Sequence, residues 1–100
     1  MALASIFSPS LDTAERKRLL SLTNEGFILI LRLNDVGALI TDLIAAVEGI
    51  THAALIAEDL CSEDRPFRWI MIMPNGNSIF DYEIERTGRE HIERAAREEW

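Results

Sequence analysis

The sequence predicts a single α+β domain, a two-layer sandwich in α-β-α-β-β-β-α order whose helices pack on a mostly antiparallel four-stranded sheet. Three observations carry that expectation. One hundred residues, 48% of them apolar, are enough for one core without metals or cross-links. The stretch 27–33 is apolar at both parities, so a strand made from it must bury both of its faces and lie inside the sheet. The pair Asn75-Gly76, which two-residue hairpin loops favour, stands between two apolar stretches. Residues 1–100 read as one domain, with 1–10 an arm ahead of its body.

The first helix is expected over 12–22, because Asp12 and Glu15 have the spacing of a capping box, and Leu11, Leu19 and Leu22 give it an apolar side. Residues 23–26 then supply turn chemistry before the strand 27–33. Asn34 and Asp35 can cap a second helix, on which Val36, Leu39, Ile40, Leu43, Ile44 and Val47 recur at spacings of three and four, with Gly49 as its stop. Residues 50–57 follow as a strand, although their alanines suit a helix on propensity alone. Residues 58–64 form a polar loop closed by Arg65-Pro66.

If Asn75 and Gly76 alone make the hairpin loop, Ile72 faces Ile79, Met71 faces Phe80, Ile70 faces Asp81 and Arg68 faces Glu83. One face then gathers Phe67, Trp69, Met71, Phe80, Tyr82 and Ile84, while Asp81, Glu83 and Glu85 share the other side of a strand running to residue 85. The last helix is expected from Thr87, with Glu90 completing a second capping box. Glu90 and Arg94, and Glu93 and Arg97, stand four apart in the acid-first order. Trp100 is the candidate anchor of this mostly solvated helix onto the body or a partner.

The formal charge is −7, and Lys17 is the only lysine beside nine arginines, most of them interleaved with carboxylates. That distribution makes ion pairs, not the basic patch that a phosphate backbone requires, so nucleic acid is not expected as a direct ligand. The apolar run 27–31 ends at Arg32, far short of the roughly 20 residues of a membrane span. With no basic leader at the N-terminus and a lone Cys61, a cytoplasmic protein without membrane association is expected.

No catalytic, cofactor or metal motif stands out. His52 and His91 have no histidine or cysteine at ligand spacing, the serines lie in no nucleophile elbow, and Cys61 has no identifiable base. Glu58, Asp59, Glu63 and Asp64 lack the alternation and central glycine of a calcium loop, so they read as a solvated acidic surface. Together with Asp81, Glu83 and Glu85 they make a candidate partner-binding surface able to steer a basic protein. The function expected is therefore non-catalytic: an acidic interaction protein of inhibitor, immunity or adaptor type, such as a phage-encoded inhibitor of a basic nucleic-acid-binding protein. No cofactor is expected.

Residues 27–57, with Asn34-Asp35-Val36-Gly37-Ala38-Leu39 between a strand and a helix and Gly49-Ile50 entering the next strand, resemble the ACT regulatory domain. The same order gives the domain a ferredoxin-like tendency. What the resemblance implies is an alternative function, a small-molecule-sensing module acting as a homodimer, with an effector bound near Asn34 to Gly37. The chain departs from that family after the hairpin, where it ends in a helix instead of a closing strand.

Overall fold

The computed structural model describes residues 7–34, 39–62 and 67–97. They form a mixed α+β fold around an open, wholly antiparallel four-stranded sheet in the order β2-β1-β3-β4. The elements are α1 (Thr13–Asn24), β1 (Ile28–Leu33), β2 (Ile40–Val47), α2 (Ile50–Ser62), β3 (Trp69–Ile72), β4 (Ser78–Phe80), α3 (Asp81–Thr87) and α4 (Arg89–Ala96).

Strand β1 lies inside the sheet with both faces buried, as its apolar run requires. Leu29, Leu31 and Leu33 meet Leu19 of α1 on one face, together with Ile70 and Ile72 of β3. Ile28 and Ile30 meet the opposite layer, built from Ala53, Ala57 and Leu60 of α2, Ile84 of α3 and Ile92 and Ala95 of α4. The expected sandwich thus gains a third layer, with helix on both sides of the sheet. Asp12 opens α1 as its sequence spacing predicts, its Oδ1 accepting the Glu15 backbone N–H at 2.7 Å. Ahead of it, Phe7 bridges to Ile40 and the Ser8 N–H donates to the Ile40 carbonyl at 2.8 Å, while the Arg16 guanidinium donates to the carbonyls of Leu11 and Ser8.

The segment between β1 and the hairpin differs from expectation. Residues 40–47 are a strand and not a helix, and Ile50–Ser62 is a helix where a strand is expected over 50–57. The register explains the first difference. Ile30 faces Ala45 but Leu31 faces Leu43, and Arg32 faces Asp42 but Leu33 faces Ile40, so Ile44 and Thr41 are extra residues in two bulges. Each bulge stretches the two-residue repeat to three. Ile40, Leu43 and Ala46 consequently fall on the α1 face with Leu33, Leu31 and Leu29, and an apolar spacing that imitates a helix is met by a bulged strand. In α2 the alanines decide: Ala53, Ala57 and Leu60 recur at helical spacing and are buried against the sheet. Gly49 accordingly precedes a helix instead of ending one, its carbonyl accepting the Ala53 N–H at 3.0 Å. The strand–helix–strand order behind the ACT-like and ferredoxin-like expectation is replaced by strand–strand–helix.

The hairpin forms, but one residue out of the expected register: Ile70 faces Phe80, Met71 faces Ile79 and Ile72 faces Ser78. The loop holds three residues. Gly76 N–H donates to the Met73 carbonyl at 2.9 Å, and Met73 N–H to the Asn77 carbonyl at 2.8 Å. Pro74, with its fixed φ, suits the second position of such a turn, and Gly76 at φ 93° supplies the left-handed residue that closes a three-residue loop. The shift moves Ile79 to the side of Trp69 and Met71, and Phe80 to the side of Ile70 and Ile72. Side chains of the loop then cap α4, the Asn75 and Asn77 Nδ2 groups donating to the Ala95 carbonyl at 2.9 and 2.8 Å.

Strand β4 ends at Phe80, and residues 81–87 are helical where the sequence predicts a strand continuing to residue 85. Asp81 and Glu83 in the first turn and Arg86 in the last complement the helix dipole, a signal that the alternation of Phe80, Tyr82 and Ile84 conceals. Helix α4 starts after Gly88 and not at a Thr87 cap, and no side chain caps it. Gly88 itself, at φ 63° and ψ −147°, occupies a region essentially closed to residues with a Cβ and makes the elbow between α3 and α4. A Cβ at Gly88 or at Gly49 would meet nothing within 4 Å. Replacing Gly88 with alanine should therefore cost about 1–3 kcal/mol through backbone strain alone, whereas Gly49→Ala, at an ordinary φ, should stay within about 0.5 kcal/mol of the parent. Urea unfolding of the two variants distinguishes them.

Candidate functional site

Two arrangements gather the chemistry of the described residues. The first is at the start of α3. Asp81 is 8% exposed, and its carboxylate accepts from Arg68 Nε at 3.0 and 3.1 Å and from an Arg68 terminal nitrogen at 3.0 Å. The same carboxylate accepts from the backbone N–H groups of Trp69 at 3.2 Å and Tyr82 at 2.8 Å. These bonds tie the beginning of β3 to the beginning of α3 and hold the Arg68 guanidinium charged, its pKa raised above the ordinary arginine value first by the hydrogen bond to Asp81. Arg68 also lies 5.5 Å over the ring of Tyr82, which stacks on Phe80 at 5.6 Å. Asp81 is structural, and its charge is consumed inside the fold.

The second arrangement is a cleft of about 490 Å³ between α2 and the α3–α4 elbow. Ala54, Leu55, Ala57, Cys61, Ile84 and Ile92 make it apolar. Leu55, also in its lining, is 57% exposed. Thr51 Oγ1 accepts from Arg89 at 2.9 Å and ties α2 to α4 at one end, where Arg89 is also paired with Glu93 at 3.0 Å. Toward the other end, Glu58 of α2 and Glu85 of α3 line opposite walls. Between them Cys61 is half-buried, and its thiol pKa is raised above the ordinary value by burial, then by the charges of Glu85 and Asp81. A protonated thiol is a poor nucleophile, so Cys61 contributes apolar surface to the cleft.

The fold divides the acids grouped by sequence. Glu58 and Asp59 are exposed on α2, and Glu85 is exposed on α3, facing Glu58 across the cleft. Because 81–87 is helical, Asp81, Glu83 and Glu85 do not share one side of a strand. Asp81 is buried, and its partner is Arg68, which was expected to face Glu83. Glu83 Oε2 instead lies 3.3 Å from His91 Nε2 of α4, both side chains being half-buried. Glu63, Asp64 and Trp100, like Asp35 and Gly37, lie outside the described residues. Asn34, expected to cap a helix, closes the β1–β2 connection, its N–H donating to the Leu39 carbonyl at 2.8 Å and its Oδ1 accepting the Leu39 N–H at 3.3 Å. His52 is exposed on α2.

Sequence reasoning did not single out Thr51, Ala54, Leu55, Arg89 and Ile92, because a strand at 50–57 would not turn Thr51, Ala54 and Leu55 toward Arg89 and Ile92. The signal was the helical spacing of the alanines. Among the described residues no cluster of three histidine, cysteine, aspartate or glutamate side chains could hold a metal ion, and no helix is long and apolar enough to cross a membrane. No family model, curated protein or solved structure matches the chain.

Two outcomes test this geometry. Asp81→Ala should destabilise the fold by about 2–3 kcal/mol, since it leaves the buried Trp69 N–H and the Arg68 guanidinium without their acceptor; a loss below about 0.5 kcal/mol in thermal unfolding contradicts the assigned role. Cys61 should be alkylated by iodoacetamide more slowly than free cysteine at pH about 8, because its raised pKa leaves less thiolate there. Removing one of the raising charges with Glu85→Gln should move the rate profile to lower pH, and an unmoved profile removes Glu85 from the environment of the thiol.

Proposed function

We propose that the chain is an acidic, non-catalytic interaction protein that recognises a basic surface on a partner protein, in the manner of an inhibitor, an immunity protein or an adaptor. One observation carries this reading: α2 bears the exposed acids Glu58 and Asp59 and no lysine or arginine, and the exposed Glu85 of α3 lines the same cleft as Glu58. Arg68 is paired with Asp81, Arg89 with Glu93 and Arg18 with Glu15. Among the described residues, Glu58, Asp59 and Glu85 are exposed and enter no ion pair. With a formal charge of −7, these acids give α2 and α3 a negative field that attracts a basic protein and repels phosphate backbones. The apolar cleft between them adds the water-excluding surface that charge alone lacks. A cytoplasmic partner suits a chain with one free cysteine.

The test uses the chain immobilised as wild type and as the triple variant Glu58→Lys, Asp59→Lys, Glu85→Lys, each exposed to lysate of the organism that encodes it. The wild type should retain proteins with strongly basic surfaces. Association of the purified partner should slow steeply as salt rises, because ions screen the steering field. The triple variant should retain none of those proteins. An identical retained set for both chains, or an on-rate indifferent to salt, refutes the proposal.

A further inference from the structure

We infer that the cleft between α2 and the α3–α4 elbow is the seat of a short partner segment in which apolar side chains are followed by arginine or lysine. This rests on the reading of the chain as an acidic interaction protein and names the element that such a partner inserts. The cleft is a groove, not a closed chamber: its α2 wall runs from Thr51 to Ser62, a helical rise of about 16 Å, enough to accept roughly five residues of extended chain.

Its chemistry is graded along that length. At the Thr51 end Arg89 is held by Thr51 and Glu93, so its charge is compensated. The middle is apolar, with Ala54, Leu55, Ile84 and Ile92. Alanine at 54, packed against the core layer, leaves room that a larger residue would fill, and Leu55 beside it is more than half exposed. Toward the Ser62 end the groove passes between Glu58 and Glu85. A segment laid along it buries aliphatic side chains in the middle and brings a guanidinium or ammonium between two carboxylates that have no cation of their own among the described residues.

That order also fixes which end of the groove takes the cation, whichever way the backbone of the segment runs. The cation must come last, counted from the Thr51 end, because the compensated Arg89 occupies the other. Phosphate-bearing ligands are repelled at the Glu58–Glu85 end. A small aliphatic amine shares the chemistry but spans only part of the groove.

The probe is a labelled synthetic peptide with leucines followed by arginines, titrated by fluorescence anisotropy against the full chain. Wild type should bind it, and should bind peptides with glutamine for arginine, or serine for leucine, at least about tenfold more weakly, the equivalent of ~1.4 kcal/mol. Glu58→Gln combined with Glu85→Gln should weaken binding by a similar factor. So should Ala54→Trp, which fills the middle of the groove and leaves every charge in place. Leu55→Ser, at an exposed position that folding tolerates, gives the same readout should the tryptophan variant not fold. Undetectable binding to wild type overturns the inference. Equal displacement by hexylamine at the concentration of unlabelled peptide also overturns it, in favour of a small cationic amphiphile. If the charge variants abolish both peptide binding and partner capture while Ala54→Trp and Leu55→Ser alter neither, the acidic surface stands and the groove falls. If partner capture is itself indifferent to the charge variants, the reading on which the groove rests fails with it.

Discussion

Of the residues of strand β1, only Arg32 is exposed to water. Leu29, Ile30 and Leu31 are completely buried, their side chains alternating between two helical layers, and both edges of the strand are paired, with β2 on one side and β3 on the other. A strand in that position needs two neighbours and two covers, and the other elements supply them. Full burial of such aliphatic side chains contributes roughly 1.5–3 kcal/mol each relative to exposure, so the elements around β1 share one energetic interest in staying assembled.

The need for a cover on each face is what creates the cleft. The α1 face is closed by one amphipathic helix anchored through Leu19 and by the segment from Phe7 to Leu11. The other face is shared among α2, α3 and α4, and three short helices on one surface leave a seam. The seam opens where α3 bends into α4 at Gly88, a backbone conformation that separates two helices which would otherwise continue as one. Asp81 fixes the start of α3 by binding β3, the asparagines of the hairpin loop fix the end of α4, and Arg89 ties α4 to α2. The groove walls are thereby held from three directions, and a segment of the proposed kind would meet a surface already ordered, at a lower entropic cost of binding. The edge strand β2, by contrast, carries two bulges and the exposed Asp42, devices that blunt a sheet edge against pairing with another chain.

Much of this was legible in the residues. The double burial of β1, the Asp12 cap, the existence of the hairpin and the four-stranded antiparallel sheet follow from apolar parity, cap spacing and the Asn-Gly pair. The exchange of strand and helix over 40–57 was not legible from periodicity, because two bulges stretch a strand repeat toward that of a helix; the β-branched Ile40, Thr41, Ile44 and Val47 and the alanines of α2 held the better signal. The register slipped by one because Pro74 joined the loop. Of the acids grouped by sequence, Glu58, Asp59 and Glu85 are exposed, whereas Asp81 belongs to an internal knot that only the tertiary fold reveals. The apolar cleft was hidden entirely, since its lining comes from an element assigned the wrong type.

Both the layering and the groove depend on residues 40–47 filling the second edge of β1 and so leaving 50–62 to cover the sheet as a helix. Nuclear Overhauser contacts along the backbone test this most directly. Cross-strand contacts are expected between Leu31 and Leu43 and between Leu33 and Ile40, with helical contacts three residues apart throughout Ile50–Ser62. Helical contacts across 40–47, with an extended 50–57 paired to β1, would contradict this arrangement and remove the groove along with the fold.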